Sequence, residues 1–220
     1  MSKLVANFGR RGKGKTSLAY HQASRLGRGV CVFDPTESFS IGTIVSSRED
    51  FETALDLEIS PIVFQVRDAA TRKDAIEQDL LSFVQTIKYI RDIAVLIDET
   101  SYVQSPQWTA SAFDDEVRVG RRRRHDVYFT QHRIADCNGI LLSLVTEFNF
   151  FQTKYSRDLD RIAEICGDRI AGLVSQLGEH DFLHYDVEQE NSYINVEPDS
   201  WRVSLSPEVT PQTHLSVAAA

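Results

Sequence analysis

Cysteine is scarce in this 220-residue chain: Cys31, Cys137 and Cys166 are odd in number and far apart. No Cys-x-x-Cys or Cys-x-x-His pair occurs, which argues against a structural zinc site and favours a reducing compartment. The opening stretch MSKLVANFGRRGKGK has no apolar core of the kind a secretory signal carries. The longest uncharged run, around CNGILLSLVT, falls far short of the ~20 apolar residues that a membrane span needs. The expectation is a soluble, intracellular protein. There is no internal repeat, no low-complexity linker and no Asn-Lys-x-Asp guanine reader. Positive charge is also short, with 24 Lys and Arg against 32 Asp and Glu. That excludes a surface coated in basic residues, so any contact with nucleic acid must be local.

What is present is an ordinary globular composition, 42% apolar and 25% charged. The length suits one domain, or one domain with a tail. Apolar runs that read as strands (LVANF, GVCVFDP, PIVFQV, IAVLID, VYFT, FNFFQT) are separated by segments of helical character. The longest of these, residues 69–92, repeats Ile76, Leu80, Phe83, Val84, Ile87 and Ile90 at three- and four-residue spacing. HDFLHYDV and SYINV read as terminal strands. Strands alternating with helices predict an α/β domain with a mostly parallel central sheet flanked by helices. That domain is expected to span residues 1–197. From about Pro198 the chain turns rich in Pro, Ser and Thr and reads as a tail, ending in Ala-Ala-Ala with the look of an added extension.

One stretch carries a phosphate site. GRRGKGKT (9–16) satisfies G-x-x-x-x-G-K-[ST] between a predicted strand and a predicted helix, the context the motif requires. Gly9, Gly12, Lys13, Gly14, Lys15, Thr16 and Ser17 would bind the phosphates, largely through backbone N–H groups at a helix N-terminus. Lys15 would reach the β- and γ-phosphates, and the Thr16 hydroxyl would take one position on Mg²⁺. AVLIDE (94–99) supplies a second half: Asp98 at a strand end would hold the magnesium through water, and Glu99 would polarise an attacking water. That arrangement suits hydrolysis more than transfer to a small acceptor. Glu99 as a solvated neighbour is the bland alternative. VYFT leads to Gln131, whose amide would touch the γ-phosphate or its water, unless it simply makes a turn.

The positive charge is concentrated. Between Arg118 and Arg133 stand six arginines and one acid, Asp126, although the whole chain has a net charge of −8. Asp114 and Arg118 are four apart and could pair on a helix. The others suit a finger that neutralises phosphate charge on a neighbouring subunit, or contact with a polyphosphate backbone.

Together GRRGKGKT, VFDPTESF, VLIDE, VGRRRRHDVYFTQHR and FNFFQT resemble the FtsK–HerA family of ring-forming, DNA-translocating P-loop ATPases, over roughly residues 3 to 186. The compact members without membrane segments, the genome-packaging ATPases of tailless icosahedral viruses with internal membranes, are most similar. The family usually follows the strand-end Gln with Arg-Pro; here His132 intervenes and the proline is missing. The resemblance implies ATP and Mg²⁺ as cofactors and double-stranded DNA as partner. It also implies a homo-oligomeric ring, hexamer or pentamer, docked on a capsid vertex or portal-like protein, in the host cytoplasm or at the virion vertex. Arg121 fits the family's Gly-Arg arginine best, with Arg118 next, as a trans-acting finger. Arg122 to Arg124 would then serve the subunit interface or the DNA channel. Two alternatives stay open: a P-loop kinase with GRRRR as its lid, and a cellular or conjugative DNA pump.

Overall fold

Apolar runs without polar alternation need a sheet covered on both faces, and β1 (Leu4–Phe8), buried at every position, lies inside one. The structure, a computed structural model, describes residues 2–67, 73–195 and 202–204. After β1 come α1 (Lys15–Ser24), β2 (Val30–Asp34), β3 (Thr43–Val45), α2 (Arg48–Asp56), β4 (Ile62–Gln65), α3 (Lys73–Ile87) and β5 (Ala94–Ile97). A small hairpin, β6 (Gln104–Ser105) and β7 (Trp108–Thr109), leads to α4 (Ser111–Arg123), β8 (Asp126–Gln131), α5 (Gly139–Leu144) and β9 (Glu147–Phe151). The chain ends with α6 (Ser156–Cys166), α7 (Asp168–Gln176), β10 (Phe182–Asp186), β11 (Asn191–Asn195) and β12 (Arg202–Ser204).

One sheet runs β12-β11-β10-β9-β1-β8-β5-β2-β4-β3. From β9 to β3 every pairing is parallel. The last three strands add an antiparallel edge. This is the expected α/β architecture. On one face Ala19 and Ala23 of α1, both 0% exposed, let that helix press against Val5, Val32 and Leu96. The opposite face is larger and aromatic. There Phe83 of α3 stacks on Phe51 of α2, and Phe113 of α4 meets Phe129 edge-on. Phe148 and Phe150 are fully buried, so FNFF is core sheet.

Several local expectations needed correction. The helix expected to reach Asp92 ends at Ile87, whose carbonyl accepts from the Ile90 N–H in a tight turn at 2.9 Å; beyond it Asp92, with a left-handed φ of 60°, donates its N–H to the Arg123 carbonyl. CNGILLSLVT contains α5, started by Asn138, whose side chain accepts from the N–H groups of Ile140 and Leu141. Strands β3, β6 and β7 are too short to show a period. β12 falls inside the expected tail, while the rest of that stretch lies outside the described residues. All three cysteines are free, and burial pushes each thiol up to about 12, which removes their nucleophilic character at neutral pH.

Candidate functional site

The parallel register brings four chain segments level at one edge. Phe8 pairs with Gln131, Gly9 donates its N–H to the Gln131 carbonyl at 3.3 Å, and Asp98 donates its N–H to the Phe33 carbonyl at 3.0 Å. The carboxyl ends of β1, β2, β5 and β8 therefore share one rim, where ligands gather in open α/β sheets.

The loop from β1 to α1 needs its glycines for two reasons. A Cβ on Gly9 would stand 2.6 Å from the Phe151 Cβ, and Gly12 and Gly14 hold φ of 81° and 98°. Gly14 caps α1 without a side-chain bond, so N–H groups of the first turn are left for a ligand. The loop opens on a cavity of about 840 Å³ lined by Gly12, Gly14, Lys15, Thr16, Ser17, Asp98, Glu99 and His132, among others. Lys13 faces the other way, 3.9 Å from Glu179.

Lys15 is 5% exposed. Burial pushes its ammonium below the usual lysine range, with Glu99 and Asp98 pulling the other way. Its Nζ donates to the Arg10 carbonyl at 3.3 Å and meets His132 Nδ1 at 3.1 Å. The result is a desolvated cation facing a polar cavity, a seat for an anion.

Asp98 is held by four hydroxyls. Thr16 and Thr130 donate to its Oδ1 at 2.8 and 2.7 Å, and Ser38 and Thr36 to its Oδ2 at 3.0 and 3.4 Å. Thr36 and Ser38 are placed there by Asp34, fully buried at the end of β2. Its carboxylate lies 3.0 and 3.3 Å from the Thr36 and Ser38 hydroxyls, each of which shares its one proton between Asp34 and Asp98, and it accepts from the Thr36 and Phe39 N–H groups and from Gln65. An all-oxygen set of a carboxylate and hydroxyls fits a hard cation such as Mg²⁺. No cluster of three His, Cys, Asp or Glu occurs among the described residues.

Glu99 follows with a left-handed φ of 44°, an unusual conformation for a non-glycine residue and one that recurs at functional sites. Its Oε1 accepts from Ser101 at 2.6 Å and its Oε2 lies 3.1 Å from His132 Nε2. Gln131, expected to face the phosphate, does not line this cavity. It is 1% exposed, and its amide oxygen accepts from Thr100 at 2.8 Å and from the Gln104 amide. The next residue, His132, occupies the rim instead. Sequence reasoning missed the roles of Asp34, Thr36, Ser38 and Thr130. The Asp-Pro-Thr-x-Ser pattern, typical of side-chain-stabilised turns, was the available signal for the first three.

The arginine tract lies elsewhere. α4 descends beside β8, so its last turn emerges at the amino ends of the strands. There Ser2 donates to the Arg121 carbonyl, and Arg124 pairs with Asp92. The six residues of β8 put roughly 17 Å between that end and the rim, at about 3.3 Å per residue. A lid over the subunit's own cavity is out of reach, which removes the kinase argument drawn from GRRRR. Arg118 pairs with Asp114 at 2.7 Å, as its spacing predicted. Arg121 and Arg122 are exposed, with no side-chain partner among the described residues. Arg123 was expected, with Arg122 and Arg124, to serve the subunit interface or the DNA channel. It is 18% exposed and bound to Glu116 at 3.2 Å, and Glu116 also meets the buried His125 at 2.6 Å. Gly120 makes room for this cluster, since a Cβ there would lie 2.7 Å from the Glu116 carboxylate.

Beside the loop is a second cavity of about 340 Å³, lined by Arg10, Lys13, Gln152, Thr153, Lys154 and Tyr155. The Tyr155 ring lies under two guanidiniums, Arg133 at 4.9 Å and Arg10 at 5.8 Å. Arg133 is also tied to Asp158 at 3.3 Å. His184 packs on Tyr193 and meets Asn149 at 2.9 Å.

No protein-family model matches the sequence, and no curated protein matches it. In fold, the chain is similar to solved structures. The genome-packaging NTPase B204 from Sulfolobus turreted icosahedral virus 2, in complex with ATP-gammaS, is 20% identical with a TM-score of 0.72, over 88% of this chain and 96% of that one. B204, the DNA-packaging ATPase from Sulfolobus turreted icosahedral virus, gives 20% and 0.70 over 88% and 96%. VirB4 of Thermoanaerobacter pseudethanolicus gives 11% and 0.64 over 96% and 90%. Among the described residues no helix is long and apolar enough to cross a membrane.

Proposed function

We propose that this chain is an ATP-hydrolysing, double-stranded-DNA translocase, a genome-packaging motor subunit working in a homo-oligomeric ring. The observation that carries the reading is the rim itself: buried Lys15, the Thr16–Asp98 pair at 2.8 Å and Glu99 meet in one cavity at a helix N-terminus. In that reading the loop N–H groups and Lys15 cradle the β- and γ-phosphates, as in other P-loop ATPases. Thr16 and, through water, Asp98 would hold Mg²⁺, which would supply positive charge to the phosphates. Glu99 accepts a proton from the attacking water. Likeness of fold to packaging ATPases supports the DNA partner, and docking on a capsid vertex is part of the same proposal.

The test is phosphate release by protein of known assembly state, with and without duplex DNA. The expected result is turnover stimulated by duplex. Transfer of phosphate to a small acceptor, with no effect of DNA, would return the kinase reading.

The cavity beside the loop suits the nucleobase, with Tyr155 as its stacking surface. Tyr155→Ala should weaken ATP binding by about tenfold, since a base–aromatic stack is worth ~1–3 kcal/mol. Inorganic tripolyphosphate, which has no base, should bind as before, and Tyr155→Phe should keep ATP affinity. Equal losses for both ligands would place the base elsewhere.

A further inference from the structure

His132 sits one residue past β8, at the rim, with its side chain 44% exposed. It touches both groups on which the proposed hydrolysis depends: Lys15 Nζ lies 3.1 Å from its Nδ1, and Glu99 Oε2 lies 3.1 Å from its Nε2. An ammonium can only donate, so Nδ1 accepts, and the ring proton therefore sits on Nε2, where it is donated to the Glu99 carboxylate. The tautomer is set by these partners. Lys15, His132 and Glu99 form one hydrogen-bonded chain at the rim of the cavity.

We propose that His132 is a positioning residue that latches Lys15 to Glu99, and that an incoming polyphosphate opens the latch by taking Lys15. The exchange balances without any covalent step. Lys15 gives up a bond to a neutral imidazole for charge-assisted bonds to phosphate oxygens, which are stronger. Nδ1 is then free to accept from water or ligand, while Nε2–H still donates to Glu99. The glutamate is held from one side by this bond and from the other by Ser101, at 2.6 Å. Both bonds to Glu99 persist when Lys15 leaves, so the ring continues to support the glutamate while the ammonium turns to the phosphate.

This inference rests on the proposed hydrolysis, and its two consequences have opposite signs. Removing the ring takes away the competitor for Lys15, so ligand binding improves; it also removes a support of Glu99, so turnover falls. A general loss of structure would weaken both. His132→Ala should bind inorganic tripolyphosphate several-fold more tightly by calorimetry, and its kcat for ATP should drop roughly tenfold while KM falls. His132→Gln, whose amide can accept from Lys15 and donate to Glu99, should restore both values toward the parent protein. Weaker tripolyphosphate binding in His132→Ala would overturn the latch and make His132 a direct phosphate contact. Unchanged binding and unchanged kcat would overturn it as well. If the parent protein binds tripolyphosphate but hydrolyses nothing, the binding arm still reads the latch, and only the hydrolytic reading fails.

Discussion

Lys15→Ala abolishes hydrolysis and lowers tripolyphosphate affinity by roughly 10²–10³-fold, while the protein melts at the same temperature or higher. The first half follows from the site. A phosphate at the loop meets one side-chain cation that is already desolvated, and leaving a buried charge unpaired typically costs about 3–5 kcal/mol. The second half follows from the same burial. Lys15 is 5% exposed, and desolvation holds its ammonium below its usual range. The folded protein therefore carries a cost for this cation that Glu99 and Asp98 offset only in part and a bound anion relieves further. Truncation removes that cost together with two hydrogen bonds, one to the Arg10 carbonyl and one to His132. Isothermal titration and thermal melting measure the two halves separately. A variant with near-parental hydrolysis would refute the phosphate site. One that loses several degrees of stability would show Lys15 to be a packing residue.

Arg121→Ala should leave nucleotide binding nearly intact and reduce turnover by ~10³–10⁵-fold, the range for an arginine finger. Within one subunit the residue cannot reach the cavity, because the length of β8 lies between them. Any effect on chemistry must therefore come from a neighbour, across a head-to-tail interface that closes into a ring. Arg121 is exposed and without a side-chain partner among the described residues, as a finger waiting for another subunit's phosphate would be. Mixing Arg121→Ala with Lys15→Ala protein should recover part of the activity, since each subunit supplies what the other lacks. Normal turnover by assembled Arg121→Ala would move the role to Arg118, whose exposed pairing with Asp114 is weak enough to exchange. A protein that stays monomeric with ATP and DNA would end the trans mechanism altogether.

The phosphate loop and the acid after β5 were legible in the sequence because both are local. A strand, a glycine-rich turn and a helix follow one another within GRRGKGKT and its flanks, and an apolar run ending in Asp98 marks a strand end without reference to anything distant. The α/β class was legible for the same reason, since strand and helix periods are written residue by residue. The side-chain directions at the rim were decided only by the tertiary structure. Successive residues at a strand end point to opposite sides, so where β8 leaves the sheet determines that Gln131 turns toward Thr100 and Gln104 while His132 turns toward Lys15 and Glu99. The arginines show the same division. Their clustering is a property of the chain, but Asp92 claims Arg124 through a contact that exists only once α4 packs beside α3, while Glu116, two turns back on α4, takes Arg123, leaving Arg121 and Arg122 exposed. Asp34 gathers Thr36 and Ser38 toward Asp98 in the same way. Hydrogen-bond partners 60 or more residues apart, such as Ser38 and Asp98, have no signature in a linear pattern, because the sheet register alone brings them within 3.0 Å.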